Sequence, residues 1–291
     1  MSILLFPGQG SKANNLDKIM SLEPVQSILT QATAILGYDI TQLTPEQLSD
    51  TTYSQVHTFV QGVAMAEAFK KEHSVEFVAG HSLGQYCALV AAEGMSFGDA
   101  LDLVRSRAGF MAECAAELPG VMIACVGNKV TEIVNELLGG FGNLYLANYN
   151  SSHQVVVSGA TSESEEFVRL AKEKGVRCIK LPVAGAFHSP FMAKANDKMN
   201  ELLRQVRFHD VKTGFISNKT GDILLTKDKL LNEFIDQIIG PVKWTTISHR
   251  IASIVRPGLS VYEISQGDVL AKLTKSEVDI EVEAFELGGN E

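Results

Sequence analysis

The sequence predicts an α/β fold in which a parallel-sheet core is interrupted by a smaller inserted unit. Three observations carry this. A short continuous apolar run at 3–6 and a strand pattern at 75–79 are separated by long helical stretches, the rhythm of a parallel sheet with helical crossovers. From residue 121 the rhythm tightens to strand, helix, strand, strand, helix, strand. A late strand at 259–264 then returns the chain to the first sheet.

Composition narrows the class. A chain of 291 residues, 45% hydrophobic and 20% charged with no low-complexity tract, buries a large core. The net charge of −9, without a Lys/Arg cluster, argues against nucleic-acid binding and sends any acidic partner to a local basic patch. The apolar run at 3–6 lacks a basic leader and stops at Pro7-Gly8, and nothing approaches the roughly 20 apolar residues of a membrane span, so a cytoplasmic protein is expected. Cys87, Cys114, Cys125 and Cys178 are scattered in apolar surroundings and the histidines are dispersed, which predicts core thiols and no metal site.

Taken in order, the strand at 3–6 ends in Pro7-Gly8-Gln9-Gly10-Ser11, a turn that lets backbone amides face a ligand but is also an ordinary strand exit. Residues 15–70 read as helical, with turns near Gly37 and Pro45. The strand at 75–79 runs into Gly80-His81-Ser82-Leu83-Gly84 and an apolar helix through Ala88, Leu89, Val90 and Ala91. A Gly-x-Ser-x-Gly turn in that setting puts the serine on a sharp bend in front of unpaired helix N–H groups. Nucleophilic acyl chemistry is one reading; a glycine-flanked serine in a plain loop is the other.

Ser96 with Asp99 opens the next helix. At 100° per residue with Arg107 at zero, Leu103, Phe110, Ala100, Met111 and Cys114 all fall within about 60° of it, while Arg105 points away at about 160°. A guanidinium inside an apolar stripe needs an anionic partner. Periodicity alone favours an internal Asp or Glu; a substrate carboxylate is the other candidate.

The inserted unit comprises strands at 121–126, 144–150, 154–158 and 177–183 and helices at 131–138 and 161–174, the latter with a Ser162/Glu165 capping-box pattern. This order is that of the split βαβ, ferredoxin-like motif. It predicts a small domain at 121–189 within a large domain of 1–120 and 190–291. The insert exits at Ala184-Gly185-Ala186-Phe187-His188-Ser189-Pro190, which puts a histidine at the junction. A helix to Val206, a strand at 213–217, the turn Asn218-Lys219-Thr220-Gly221 and a helix through 234–239 stopped by Gly240-Pro241 follow. His249 reads as a surface residue.

Together, Gly8-Gln9-Gly10, Gly80-His81-Ser82-Leu83-Gly84, Arg107 and Gly185-Ala186-Phe187-His188 resemble the malonyl-CoA:acyl-carrier-protein transacylases, in particular the discrete trans-acting acyltransferases of polyketide biosynthesis. Asn148-Tyr149-Asn150, residues 154–159, Gln237, Gly240-Pro241-Val242 and Trp244 extend the resemblance through nearly the whole chain. It implies an α/β-hydrolase-like large domain, a Ser82 nucleophile and a His188 general base, with an oxyanion hole from the amides of Gln9 and Leu83. It also implies that Arg107 binds the malonyl carboxylate, that Phe187, Gln55 and His81 complete the substrate site, and that main-chain and amide groups around Gln237 orient the histidine. The expected enzyme is a monomeric malonyltransferase without cofactor that passes malonyl from malonyl-CoA to the phosphopantetheine thiol of an acyl carrier protein. An acyl-ACP thioester hydrolase on the same fold is the alternative, against which Arg107 argues, because a neutral acyl chain gains nothing from a buried cation. The chain departs from the pattern at Gln85, where Glu is usual, at Lys12, at Val56 after Gln55, and at Ser265-Gln266-Gly267-Asp268. An esterase would place an acid after the nucleophile in chain order and its histidine nearer the C-terminus; a Ser–Asp dyad of the patatin kind would use an Asp-Gly dipeptide, which the chain lacks.

Overall fold

The computed structural model describes residues 1–9, 22–183, 185–265 and 267–285. The first half of the chain runs β1 (Ser2–Phe6), α1 (Glu23–Leu36), α2 (Pro45–Ser49), α3 (Thr51–Lys70), β2 (Val75–Gly80), α4 (Gly84–Ala91) and α5 (Phe97–Glu117). Next come β3 (Gly120–Val126), α6 (Val130–Leu138), β4 (Leu144–Ser151), β5 (Gln154–Ala160), α7 (Thr161–Glu173) and β6 (Arg177–Lys180). The remainder is α8 (Ala193–Leu203), β7 (Gly214–Ile216), β8 (Ile223–Leu224), α9 (Lys227–Phe234), β9 (Val242–Lys243), α10 (Trp244–Ile254), β10 (Ser260–Glu263), α11 (Val269–Glu277) and β11 (Glu283–Ala284). No described helix is long and apolar enough to cross a membrane.

Two sheets organise these elements. The first has the order β11-β10-β1-β2-β7-β8, parallel except for the β7–β8 pair. β1 is buried along its whole length, as a central parallel strand should be. The second sheet has the order β6-β3-β5-β4-β9, with antiparallel pairs from β6 to β4 and a parallel β4–β9 edge. Alternation along β3 and β5 divides its two faces. Val121, Ile123, Cys125, Val155 and Val157 pack in a separate core with Val134 and Phe167 of α6 and α7, while Met122, Ala124 and Val156 join the main core. The small sheet thus roofs the space over the ends of β1 and β2.

Helix termini follow local chemistry in most places. Gly37 closes α1 in the left-handed region at φ 79°, its N–H reaching the Thr33 carbonyl. Ser96 caps α5, its hydroxyl oxygen accepting from the Asp99 N–H at 3.1 Å. The α5 stripe is as the periodicity predicts: Ala100, Leu103, Arg107, Met111 and Cys114 are buried, and Arg105 is exposed and paired with Asp102.

Two expectations change. The Ser162/Glu165 box does not form, because α7 starts at Thr161 behind Ala160, which makes no side-chain cap. The helix expected through 239 ends at Phe234. Asp236 instead turns left-handed at φ 59°, its carboxylate held by Asn196 at 2.7 Å and Asn200 at 2.9 Å from α8; these side-chain bonds override the apolar spacing that suggested a helix. Separately, β9 pairs with β4 of the small sheet through two residues, Asn148 opposite Val242 and Tyr149 opposite Lys243. Cys125 and Cys178, distant in sequence, are direct cross-strand partners with their sulfurs 3.8 Å apart.

The elbow between β2 and α4 has no room for side chains at its glycines. A Cβ on Gly84 would lie 2.0 Å from the Phe6 carbonyl oxygen, and one on Gly80 would lie 2.0 Å from the Gly84 carbonyl carbon. Both contacts are with backbone, so relief requires the start of α4 to move away from the ends of β1 and β2. Gly84→Ala is therefore expected to cost at least about 1–3 kcal/mol, a fall in melting temperature of several degrees. A thermal melt indistinguishable from that of the unsubstituted protein would show that the elbow yields.

Candidate active site

The β1–β2 pairing brings two turns together. Phe6 lies opposite Gly80, and the His81 N–H donates to the Phe6 carbonyl at 2.8 Å. The Pro7-Gly8-Gln9 turn therefore sits beside the Ser82 elbow. Ser82 itself is left-handed at φ 52°, a conformation unfavourable to a side chain and held by the fixed strand and helix on either side. His188 arrives from the loop after β6, also left-handed at φ 57°.

Ser82 Oγ and His188 Nε2 are 2.7 Å apart, and His188 Nδ1 lies 2.9 Å from the Gly240 carbonyl oxygen. A carbonyl only accepts, so Nδ1 carries the proton and Nε2 is the acceptor for the serine hydroxyl. The ring is buried, and burial first, then the Arg107 charge, push its pKa down to about 3. The imidazole is neutral and free to take a proton. Main-chain and amide groups around Gln237 were expected beside this ring; the backbone of Gly240 and Gln237 meets it, while the Gln237 side chain bonds the Ser82 carbonyl at 2.9 Å and Gln85 Oε1 at 2.6 Å.

Arg107 is 2% exposed and reaches Ser82 Oγ with Nη2 at 3.1 Å. Its other partners are the side-chain oxygens of Gln55, bonded by Nη1, and Gln237, 3.4 Å from Nε, with the Tyr86 ring 6.0 Å away. Among the described residues no carboxylate pairs with it. The internal salt bridge favoured by periodicity is absent, and neutral amides take its place. Burial opposes its charge, yet a guanidinium keeps its proton at any ordinary pH. It also faces Tyr86, whose hydroxyl burial pushes up to about 12.

Gln9, Leu83, Phe187 and His81 line one cavity of about 260 Å³ with Ser82, His188 and Arg107. Gln9 Nε2 donates to Ser54 Oγ at 2.8 Å, His81 Nε2 lies 3.1 Å from Asn150 Oδ1, and Phe187 is buried. Leu83 stands at the start of α4, where its N–H has no acceptor among the described residues. The rest of the wall is largely apolar, with Met111, Met122, Ala124, Val156, Leu181 and Val183, and includes the polar Asn148, Asn150 and Gln154. Gln55 is fully buried and does not line the cavity; it holds Arg107 from behind, with Nε2 toward Met111 Sδ at 3.6 Å. Gly10, Ser11, Lys12, Ala184 and Gln266 lie outside the described residues. Sequence reading missed Asn218, whose Nδ2 donates to the Gly80 carbonyl at 2.6 Å, because its Asn-Lys-Thr-Gly setting reads only as a turn. His249 is exposed, as expected, and meets Glu277.

A neutral histidine on a serine, with a buried cation beside them on one cavity, suits acyl transfer. Comparison with known proteins agrees. An acyl transferase domain model matches residues 5–252. The malonyl CoA-acyl carrier protein transacylases of Bacillus subtilis and Escherichia coli K12 are 34% and 31% identical, over 93% and 94% of this chain and 88% and 92% of theirs. The crystal structure of the Synechocystis malonyl-CoA:ACP transacylase superposes with a TM-score of 0.89 at 30% identity, covering 97% of this chain and 96% of that one. A malonyl-transacylase in complex with a type II PKS acyl-carrier protein superposes at 0.87 with 28% identity, covering 97% and 94%. The chain belongs to the acyl transferase domain family, among the malonyl-CoA:acyl-carrier-protein transacylases.

Proposed function

We propose that the protein transfers malonyl from malonyl-CoA, through an ester on Ser82, to the phosphopantetheine thiol of an acyl carrier protein in fatty-acid or polyketide synthesis. The observation that carries the reading is Arg107: a buried guanidinium with no carboxylate partner among the described residues, 3.1 Å from the nucleophile. Such a cation suits an acyl group ending in a carboxylate, which it would grip with paired N–H donors. The names of the relatives and the carrier protein bound by one structural neighbour support donor and acceptor.

In this reading His188 Nε2 takes the Ser82 proton as Oγ bonds the thioester carbon. The carbonyl oxygen becomes an oxyanion facing the Gln9 and Leu83 amides, the C–S bond breaks, and His188 returns the proton to the departing CoA sulfur. The carrier thiol then repeats the sequence on the ester. Gly240 keeps the imidazole in the required tautomer, and no acidic third member is involved. The Phe187 ring fills space that a 2-methyl branch would need, a discrimination worth about 1–3 kcal/mol per methylene. We read residues 121–189 as a ferredoxin-like insert in an α/β-hydrolase-like unit of 1–120 and 190–291. The β6-β3-β5-β4 strand order and the separate core around Phe167 support this.

Intact-mass measurement tests the function. Malonyl-CoA should leave a malonyl adduct on Ser82 that moves to added holo-carrier protein; release as free malonate would mark a hydrolase instead. Arg107→Ala should lower malonyl loading by about a hundredfold or more while acetyl-CoA still acylates Ser82; unchanged malonyl loading would remove the carboxylate clamp.

The depressed His188 pKa has a stability counterpart. The unfolded chain takes up this proton near the ordinary value of about 6.5, the folded one only near about 3. The stability due to the neutral ring is thus complete above the unfolded value and lost as pH falls, by about 2 kcal/mol at about pH 5. Thermal melts from about pH 7 to pH 5 should therefore fall more steeply for the unsubstituted protein than for His188→Asn. Parallel slopes would mean that the ring titrates normally.

A further inference from the structure

Behind the nucleophile, buried polar side chains form a single file that the reaction scheme leaves unused. Arg107 Nε donates to Gln237 Oε1 at 3.4 Å, Gln237 Nε2 to Gln85 Oε1 at 2.6 Å, and Gln85 Nε2 to Glu233 Oε1 at 2.7 Å. Exposure is 2% for Arg107, 7% for Gln237, 0% for Gln85 and 4% for Glu233, so each group rests chiefly on its protein partners, and Gln85, Gln237 and Glu233 also border a second cavity of about 220 Å³. The two ends are one-way groups. A guanidinium only donates and a carboxylate only accepts, whereas each carboxamide between them has one donor end and one acceptor end. With a donor at one terminus and an acceptor at the other, one orientation of both amides satisfies every contact. Reversing either amide would set N–H against N–H or oxygen against oxygen.

Gln237 is where the file meets the chemistry. In its fixed orientation the amide accepts from Arg107 and donates to the Ser82 carbonyl at 2.9 Å, so one group braces both the cation and the elbow. Glu233 anchors the far end from α9, where it also accepts from Ser217 Oγ at 2.5 Å and from the Asn218 N–H at 2.7 Å.

Resting on the malonyl-transfer reading, we propose that Glu233 is a positioning residue for the reaction: its carboxylate sets the direction of the Gln85–Gln237 file and so aims Arg107 into the acyl cavity. The proposal accounts for the amide at position 85, where similar transacylases usually carry Glu. A carboxylate at 85 would confront the buried Glu233, and two such anions in contact cannot both stay ionised. The file needs one acceptor-only group, and either position can supply it.

That equivalence gives the test. Glu233→Gln, Gln85→Glu and the double exchange are compared with the unsubstituted protein for malonyl-CoA kinetics by intact mass and for the rate of Ser82 labelling by a fluorophosphonate. Glu233→Gln replaces the one-way acceptor by a reversible amide and should raise KM for malonyl-CoA about tenfold, with a smaller change in kcat. Gln85→Glu should load malonyl poorly and melt lower. The double exchange should recover to within about threefold of the starting protein, because the transplanted carboxylate accepts from both neighbouring amides. If Glu233 served only to hold Ser217 and Asn218, the exchange would be no better than Glu233→Gln alone, and that result overturns the proposal. A starting protein that labels with the phosphonate yet takes no malonyl overturns the transfer reading instead. The file is then judged by the labelling rates, in which the same ranking is expected and its absence counts against Glu233.

Discussion

A positive charge buried without a counter-charge is the constraint around which this site is arranged. Removing a guanidinium from water costs several kcal/mol even after relaxation, and here the compensation comes from amide oxygens of Gln55 and Gln237 and the face of Tyr86. These partners hold the group in place but leave its charge unneutralised. Its field reaches the neighbouring histidine, one reason that ring stays neutral. The anionic end of an arriving acyl group would supply what the fold withholds, so binding energy is concentrated at the inner end of the cavity, next to the reacting carbonyl.

Each contact of Arg107 comes from a different part of the chain. Gln55 lies on α3, Gln237 in the turn after α9 and Ser82 on the elbow between β2 and α4. The parallel pairing of β1 with β2 and of β2 with β7 collects these loops at the same end of the sheet. Both reacting side chains are held in left-handed backbone, which the surrounding structure must over-determine.

Much of this was legible in the sequence, for identifiable reasons. Ser82, Leu83 and Gln9 belong to local motifs whose geometry is set within a few residues. The burial of Arg107 followed from helical periodicity. The identity of its partners did not, because periodicity reports which face is covered and says nothing of what covers it; Gln55 and Gln237 stand 52 and 130 residues away. The end of α9 was hidden for a related reason. Ile235, Ile238 and Ile239 carry helical spacing, and the left-handed turn at Asp236 depends on two asparagines of α8. The two-residue β9 is too short to show any alternation. Gln85 was visible as a departure, but its meaning required Glu233, 148 residues away, to be placed beside it.

The brief pairing of β9 with β4 reaches beyond its two residues. The small sheet is tied to the rest of the chain where α5 passes into β3 and again where β6 leads to His188, and β9 adds a backbone seam on its far edge. That seam ties the segment after α9, which carries Gly240 and Gln237, to the sheet whose inner face brings Met122, Ala124 and Val156 to the cavity. Among the described lining residues Val269 of α11 is the exposed one, so the cavity wall runs from a buried cation to an apolar side chain in contact with solvent.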